Sequence, residues 1–111
     1  MMLPKNQEQM ETDYNRFINA WGSKSQVLKS IGEMSELIEV LSRELLAIEF
    51  SPSKFYQEPS FEELLSEIAD VYLMVDQLAF MFGRPKVKEI IASKLEGALH
   101  GVEAYEESIK K

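Results

Sequence analysis

The stretch Leu64-Leu65-Ser66-Glu67-Ile68-Ala69-Asp70-Val71-Tyr72-Leu73-Met74-Val75-Asp76-Gln77-Leu78-Ala79-Phe80-Met81-Phe82 decides the fold. Its apolar residues fall around nearly the whole circumference of a helix, and a helix apolar on all sides must be buried on all sides. Gly83 is a natural stop for it. Ser60-Phe61-Glu62-Glu63 reads as a capping box that starts it. Three partner helices of one short chain hardly cover such an element, so this helix is expected to bury itself against a second subunit.

Working outward, glycine and proline fall like punctuation at Gly22, Pro52, Pro59, Gly83 and Pro85, and between them the apolar residues recur at helical spacing. A first helix is expected from about Asn6 to Ala20, with Met10, Tyr14, Phe17 and Ile18 on one face. A second runs from about Ser25 to Ile48, with Leu28, Ile31, Ile38, Leu41, Leu45 and Ile48 as its expected core stripe. Glu49 to Pro59 reads as a loop, because Ser51-Pro52 and Glu58-Pro59 disfavour helix. A fourth helix begins near Pro85 and carries Val87, Ile91, Leu95, Ala98, Val102 and Tyr105, with a tail from Glu106 to Lys111 expected to fray. No strand-like alternation or repeat is present. The expectation is an all-α, four-helix bundle-like domain over residues 1–111, dimeric or tetrameric.

The 111 residues suffice for one domain, and 45% apolar content suffices for a core. The net charge of −7 disfavours direct binding of nucleic acid, which needs Lys and Arg against phosphates. With no cysteine there are no disulfides, thiolate nucleophiles or Cys-held metals, and the lone His100, read as a surface or partly packed residue, excludes a two-imidazole site. No apolar run approaches the ~18 residues of a membrane span, and Met1 to Asp13 lacks the apolar core of a signal peptide. The expected location is cytoplasmic.

Glu67 and Asp70 interrupt the apolar third helix one turn apart, on one face. An ionised carboxylate inside a bundle is costly unless it is paired or holds a metal. The second helix offers Glu33 and Glu36 at the same spacing, and antiparallel packing of the two helices lets the pairs face each other. Four carboxylates without cysteine or paired histidine suit Mg²⁺, with Mn²⁺ as a substitute. Such an ion also lets a protein of this charge bind an anionic nucleotide. Glu39, Glu44, Glu62, Glu63, Glu103, Glu106 and Glu107 are read as a solvated face or helix-end charges.

From about Trp21 to Lys94 the sequence resembles the MazG-like all-α nucleoside triphosphate pyrophosphohydrolases, whose signature is ExxE on one helix and ExxD on a later one. Here these are Glu33-Met34-Ser35-Glu36 and Glu67-Ile68-Ala69-Asp70-Val71, accompanied by Trp21-Gly22, Gln26, Leu37-Ile38 and Gln77-Leu78. The resemblance implies hydrolysis of a nucleoside triphosphate between its α and β phosphates, giving the monophosphate and pyrophosphate. It also implies a homo-oligomer, a dimer or dimer of dimers, with sites near the subunit interface. Glu33, Glu36, Glu67 and Asp70 would be metal ligands, with Glu36 or Glu67 also orienting the attacking water. The chain departs from the family at Gly32, where a second Glu is common, and in lacking an Asn and Arg after Lys94. Three further residues are candidates for substrate. Lys94 either reaches a phosphate or is a snorkelling surface residue. Trp21 either stacks on a base, with Gln26 reading an edge, or caps the bundle end.

Competing readings are a non-catalytic helical oligomerisation module and a silent nucleotide sensor. A di-iron carboxylate bundle is set aside, since it needs two Glu-x-x-His motifs.

Overall fold

The computed structural model describes residues 5–50 and 61–110, with side chains over 5–46 and 61–110. Four helices account for nearly all of these residues: α1 (Gln7–Trp21), α2 (Ser23–Phe50), α3 (Phe61–Phe82) and α4 (Arg84–Ser108). No strand occurs among the described residues, so the all-α expectation holds. Asn6 caps α1, accepting from Gln9 N at 2.8 Å while Gln9 Oε1 accepts from Asn6 N at 3.0 Å. Gly22 separates α1 from α2 at φ 87° and ψ 152°, a conformation essentially reserved for glycine. Gly83, at φ 131°, separates α3 from α4.

Two boundaries move. Glu49 and Phe50 belong to α2 rather than to the following loop, and α4 remains helical through Ser108, past the expected start of fraying at Glu106. The Ser60 cap and both X-Pro steps at Pro52 and Pro59 lie outside the described residues.

The chain divides into two compact units, Met1–Leu78 and Ala79–Lys111. In the first, side-chain ties among the described residues link the helices. Tyr14 Oη donates to Asp76 Oδ2 at 2.7 Å, joining α1 to α3. Gln77 Nε2 donates to Gln26 Oε1 at 2.9 Å, and Arg43 pairs with Glu63 at 3.0 Å, joining α2 to α3. In the last two ties residue numbers rise along α2 as they fall along α3, so these helices run antiparallel, as expected.

The burial pattern corrects the sequence reading. Of the expected core stripe of α2, Leu28, Ile31, Ile38, Leu41 and Leu45 are exposed, Ile38 at 65% and Leu45 at 62%, while the side chain of Ile48 lies outside the described residues. The covered face is instead Gln26, Ser30, Glu33, Leu37 and Val40, at alternating four- and three-residue steps. The matching face of α3 is Glu63, Glu67, Asp70, Met74 and Gln77. The seam between α2 and α3 is therefore largely polar. Among the described residues Tyr14, Val40 and Met74 are the buried apolar ones, alongside Gln26, Ser30 and Gln77. Leu65, Tyr72, Leu73 and Val75 of α3 are exposed in the single chain.

In the second unit no described side chain is fully buried. Ile91, Leu95, Val102 and Tyr105 form an exposed apolar stripe on α4. No helix of the described residues is long and apolar enough to cross a membrane.

Candidate metal centre

The polar seam gives the carboxylates their positions. Glu33 on α2, and Glu67 and Asp70 on α3, occupy inward positions at which helices of this kind ordinarily carry Leu or Ile. The antiparallel register brings them together. One oxygen from each of Glu33, Glu67 and Asp70 lies within 4.8 Å of the other two. All three residues are half-buried, but the shielding is local. Oε2 of Glu33 and Oε2 of Glu67 are closed off from solvent and have no hydrogen-bond partner. Buried acceptors left unpaired are rare and ask for a cause, an ion among the possible ones.

The electrostatics agree. Burial pushes the Glu33 carboxyl above its ordinary value of 4.5, and the Asp70 and Glu36 carboxylates push it the same way, while Lys29 opposes weakly. Burial also raises Glu67, followed by the charges of Glu36, Asp70 and Glu33. Desolvation and like charge both disfavour the ionised forms of these groups. A divalent cation reverses both effects. The donor set is all hard oxygen, the kind that hard divalent cations take.

Glu36, the fourth expected ligand, is exposed and stands outside the triad. Its charge nevertheless acts on both Glu33 and Glu67. The four motif acids thus gather as three converging carboxylates with one at their edge.

A cavity of about 200 Å³ adjoins this cluster, with Glu33 and Asp70 in its wall together with Lys29, Phe17 and Gln77. The remaining sequence candidates fall around it unevenly. Gln26 is buried and held by Gln77. Trp21 is 61% exposed and lies flat on Phe17, with ring centroids 5.7 Å apart and 13° between planes. Phe17, not Trp21, lines the cavity that touches the carboxylates. Lys94 is exposed on α4, in the second unit, as is His100. Sequence reasoning missed Gln77 as a site residue. The signal was its place seven residues after Asp70, on the same helical face.

No family model, curated protein or solved structure matches the chain. The functional reading therefore rests on the residues themselves.

Proposed function

We propose that the protein hydrolyses a nucleoside triphosphate between the α and β phosphates, releasing monophosphate and pyrophosphate, in a Mg²⁺-dependent reaction. The observation that carries this reading is the convergence of Glu33, Glu67 and Asp70, with two carboxylate oxygens buried and unpaired. These residues fit a hard divalent cation, and Glu33, Glu67 and Asp70 would hold it. When bound, Mg²⁺ supplies charge neutralisation at the phosphates and stabilisation of the departing pyrophosphate.

The chain's own groups do the rest. Glu36, exposed and next to Glu67, is placed to accept a proton from an attacking water. Glu67, whose proton affinity is raised, orients that water from the inner side. Lys29, in the cavity wall, supplies a positive charge for a phosphate. The same reading includes a homo-oligomer, a dimer or dimer of dimers. It is supported by the exposed stripe Leu28, Ile31, Ile38, Leu41 and Leu45 on α2 and by the apolar stripe on α4.

The test is a panel of nucleoside triphosphates with Mg²⁺, with pyrophosphate and monophosphate measured separately. Turnover should vanish with a chelator. Glu67→Gln should lower kcat by about 10²–10⁴-fold while the far-UV circular dichroism is unchanged. Orthophosphate with a diphosphate product would refute cleavage at the α–β bridge. No turnover, with no Mg²⁺ binding, would leave a helical oligomerisation module as the better description.

A further inference from the structure

Two buried unpaired polar atoms of the first unit are not explained by the metal centre, Arg43 Nε and Gln77 Oε1, and the second belongs to a residue in a cavity wall. Gln77 is 1% exposed. Its Nε2 is committed to Gln26 Oε1, while its Oε1 is buried without a hydrogen-bond partner. Gln77 also lines the cavity adjoining Glu33 and Asp70. An amide oxygen stripped of water and left unpaired is destabilising by about 1–3 kcal/mol, so a residue of this kind in a cavity wall points to a ligand that donates to it.

The cavity around it has the character of a ring-binding slot. Tyr14, Phe17, Leu73 and Met74 give it aromatic and aliphatic walls. Tyr14 is fully buried, and its hydroxyl is tied to Asp76, so that wall is fixed. At about 200 Å³ the space falls below the ~300 Å³ at which pockets for drug-sized ligands begin. It has room for one planar ring system. Along α3, Asp70, Leu73, Met74 and Gln77 follow one another on one face, and seven residues of helix advance about 10 Å. Gln77 therefore lies about two turns beyond the carboxylates, on the side away from Glu67.

We propose that this cavity receives the base of the nucleotide, and that Gln77, held by Gln26, is a specificity-determining residue whose Oε1 accepts a hydrogen bond from a ring N–H or exocyclic amino group. The proposal rests on the pyrophosphohydrolase reading only in taking a nucleotide as the ligand. Phe17 offers the ring an apolar wall, and Trp21, stacked on Phe17, stiffens that wall from behind instead of touching the base. Gln26 acts through Gln77 and is a positioning residue.

The test is titration calorimetry in Mg²⁺ buffer with AMP, CMP, GMP, UMP and ribose 5-phosphate. These have no α–β bridge to cleave, so binding is read without turnover. At least one nucleotide should bind tenfold or more tightly than ribose 5-phosphate. The analogue of that nucleotide lacking the donor, such as purine riboside monophosphate for AMP or N3-methyl-UMP for UMP, should lose at least tenfold. Gln77→Leu should remove the preference while leaving ribose 5-phosphate and Mg²⁺ affinities within twofold. Should Gln77→Leu fail to fold, Leu73→Trp takes its place, since Leu73 is 46% exposed at the cavity wall and a larger ring there obstructs the slot. Equal affinities for the nucleotides and ribose 5-phosphate, or a preference that survives both substitutions, would overturn the proposal. Pyrophosphate release is followed in parallel on the four triphosphates. Hydrolysis with no base preference in binding sinks the pocket and spares the chemistry. Base-selective binding without hydrolysis sinks the chemistry and spares the pocket. No binding of any probe sinks both.

Discussion

Replacing Asp70 by Asn removes one charge from the cluster and nearly conserves shape, so it separates a metal centre from a structural one. In the metal-free protein the three converging oxygens lie within 4.8 Å of one another, and their mutual repulsion is relieved by the substitution. Asp70→Asn should therefore leave the metal-free protein as stable as the parent, or stabler. The metal response is calculable. Unfolding entropy of about 2.1 cal/mol/K per residue, over 111 residues, makes about 1 kcal/mol equivalent to about 4 °C in Tm. An ion at a hundred times its Kd stabilises the native state by about 2.7 kcal/mol, so Mg²⁺ should raise the parent Tm by about 12 °C. Removing a ligand should weaken the ion at least as much as disturbing its outer partners does, which is up to about 100-fold. At the same Mg²⁺ concentration the variant then gains only about 0.4 kcal/mol, or about 2 °C. Differential scanning calorimetry with and without Mg²⁺ reads both numbers. A variant destabilised by about 1–3 kcal/mol through lost hydrogen bonds, with neither protein responding to metal, would show the carboxylates to be scaffold.

Three other outcomes are expected. Glu33 and Glu67 hold their protons more tightly in the folded chain than at the ordinary 4.5. The folded state thus binds more protons, and the stability this contributes is complete below pH 4.5 and is lost as pH rises through the raised folded values. Urea titrations of metal-free protein should show that decline, and Mg²⁺ affinity should rise across the same window; a pH-independent midpoint would contradict the clustered carboxylates. If the proposed oligomer forms through the exposed face of α2, Ile38→Lys with Leu45→Lys should turn it to monomer in sedimentation velocity, and a parent already monomeric, or assembly unchanged in the variant, would refute that interface. Gly22→Ala meets nothing within 4 Å but must adopt φ 87°, so denaturant unfolding should show a loss of about 1–3 kcal/mol from backbone strain alone.

Helical periodicity made the four elements and their order legible, since Gly22 and Gly83 mark two of the breaks and the spacing of apolar residues marks the rest. The ExxE and ExxD spacing likewise sufficed to place Glu33, Glu67 and Asp70 on facing helices. Which side of α2 is covered by its own chain was not legible. An apolar stripe such as Ile31–Ile38–Leu45 says that something must cover it, but not whether that is another helix of the same chain or a second molecule. The intramolecular seam is polar because it carries the carboxylates, so a reading guided by hydrophobicity selects the opposite face. Trp21 drew attention as the lone tryptophan. Phe17, read as part of a core stripe, lines the cavity instead; the two share a face of α1, but Trp21 sits one turn further along, at the helix end and past the cavity. Gln77 stood in the sequence only as part of Gln77-Leu78 and not as a site residue, because its place on the face of Asp70 shows that it points inward but not that its partner there is Gln26.

The two ties along α2 and α3, Gln26 with Gln77 and Arg43 with Glu63, bracket the carboxylates like the pins at either end of a ruler. Sliding one helix by a turn past the other would break both pins and pull the acidic pairs out of step at once, so intermediate spacings are not open to the site. Drift in sequence on the outer flanks, at Ile38, Leu45 or Tyr72, can change what the molecule adheres to without altering that gauge. New assemblies can thus be tried around a carboxylate cluster whose dimensions are held constant from within.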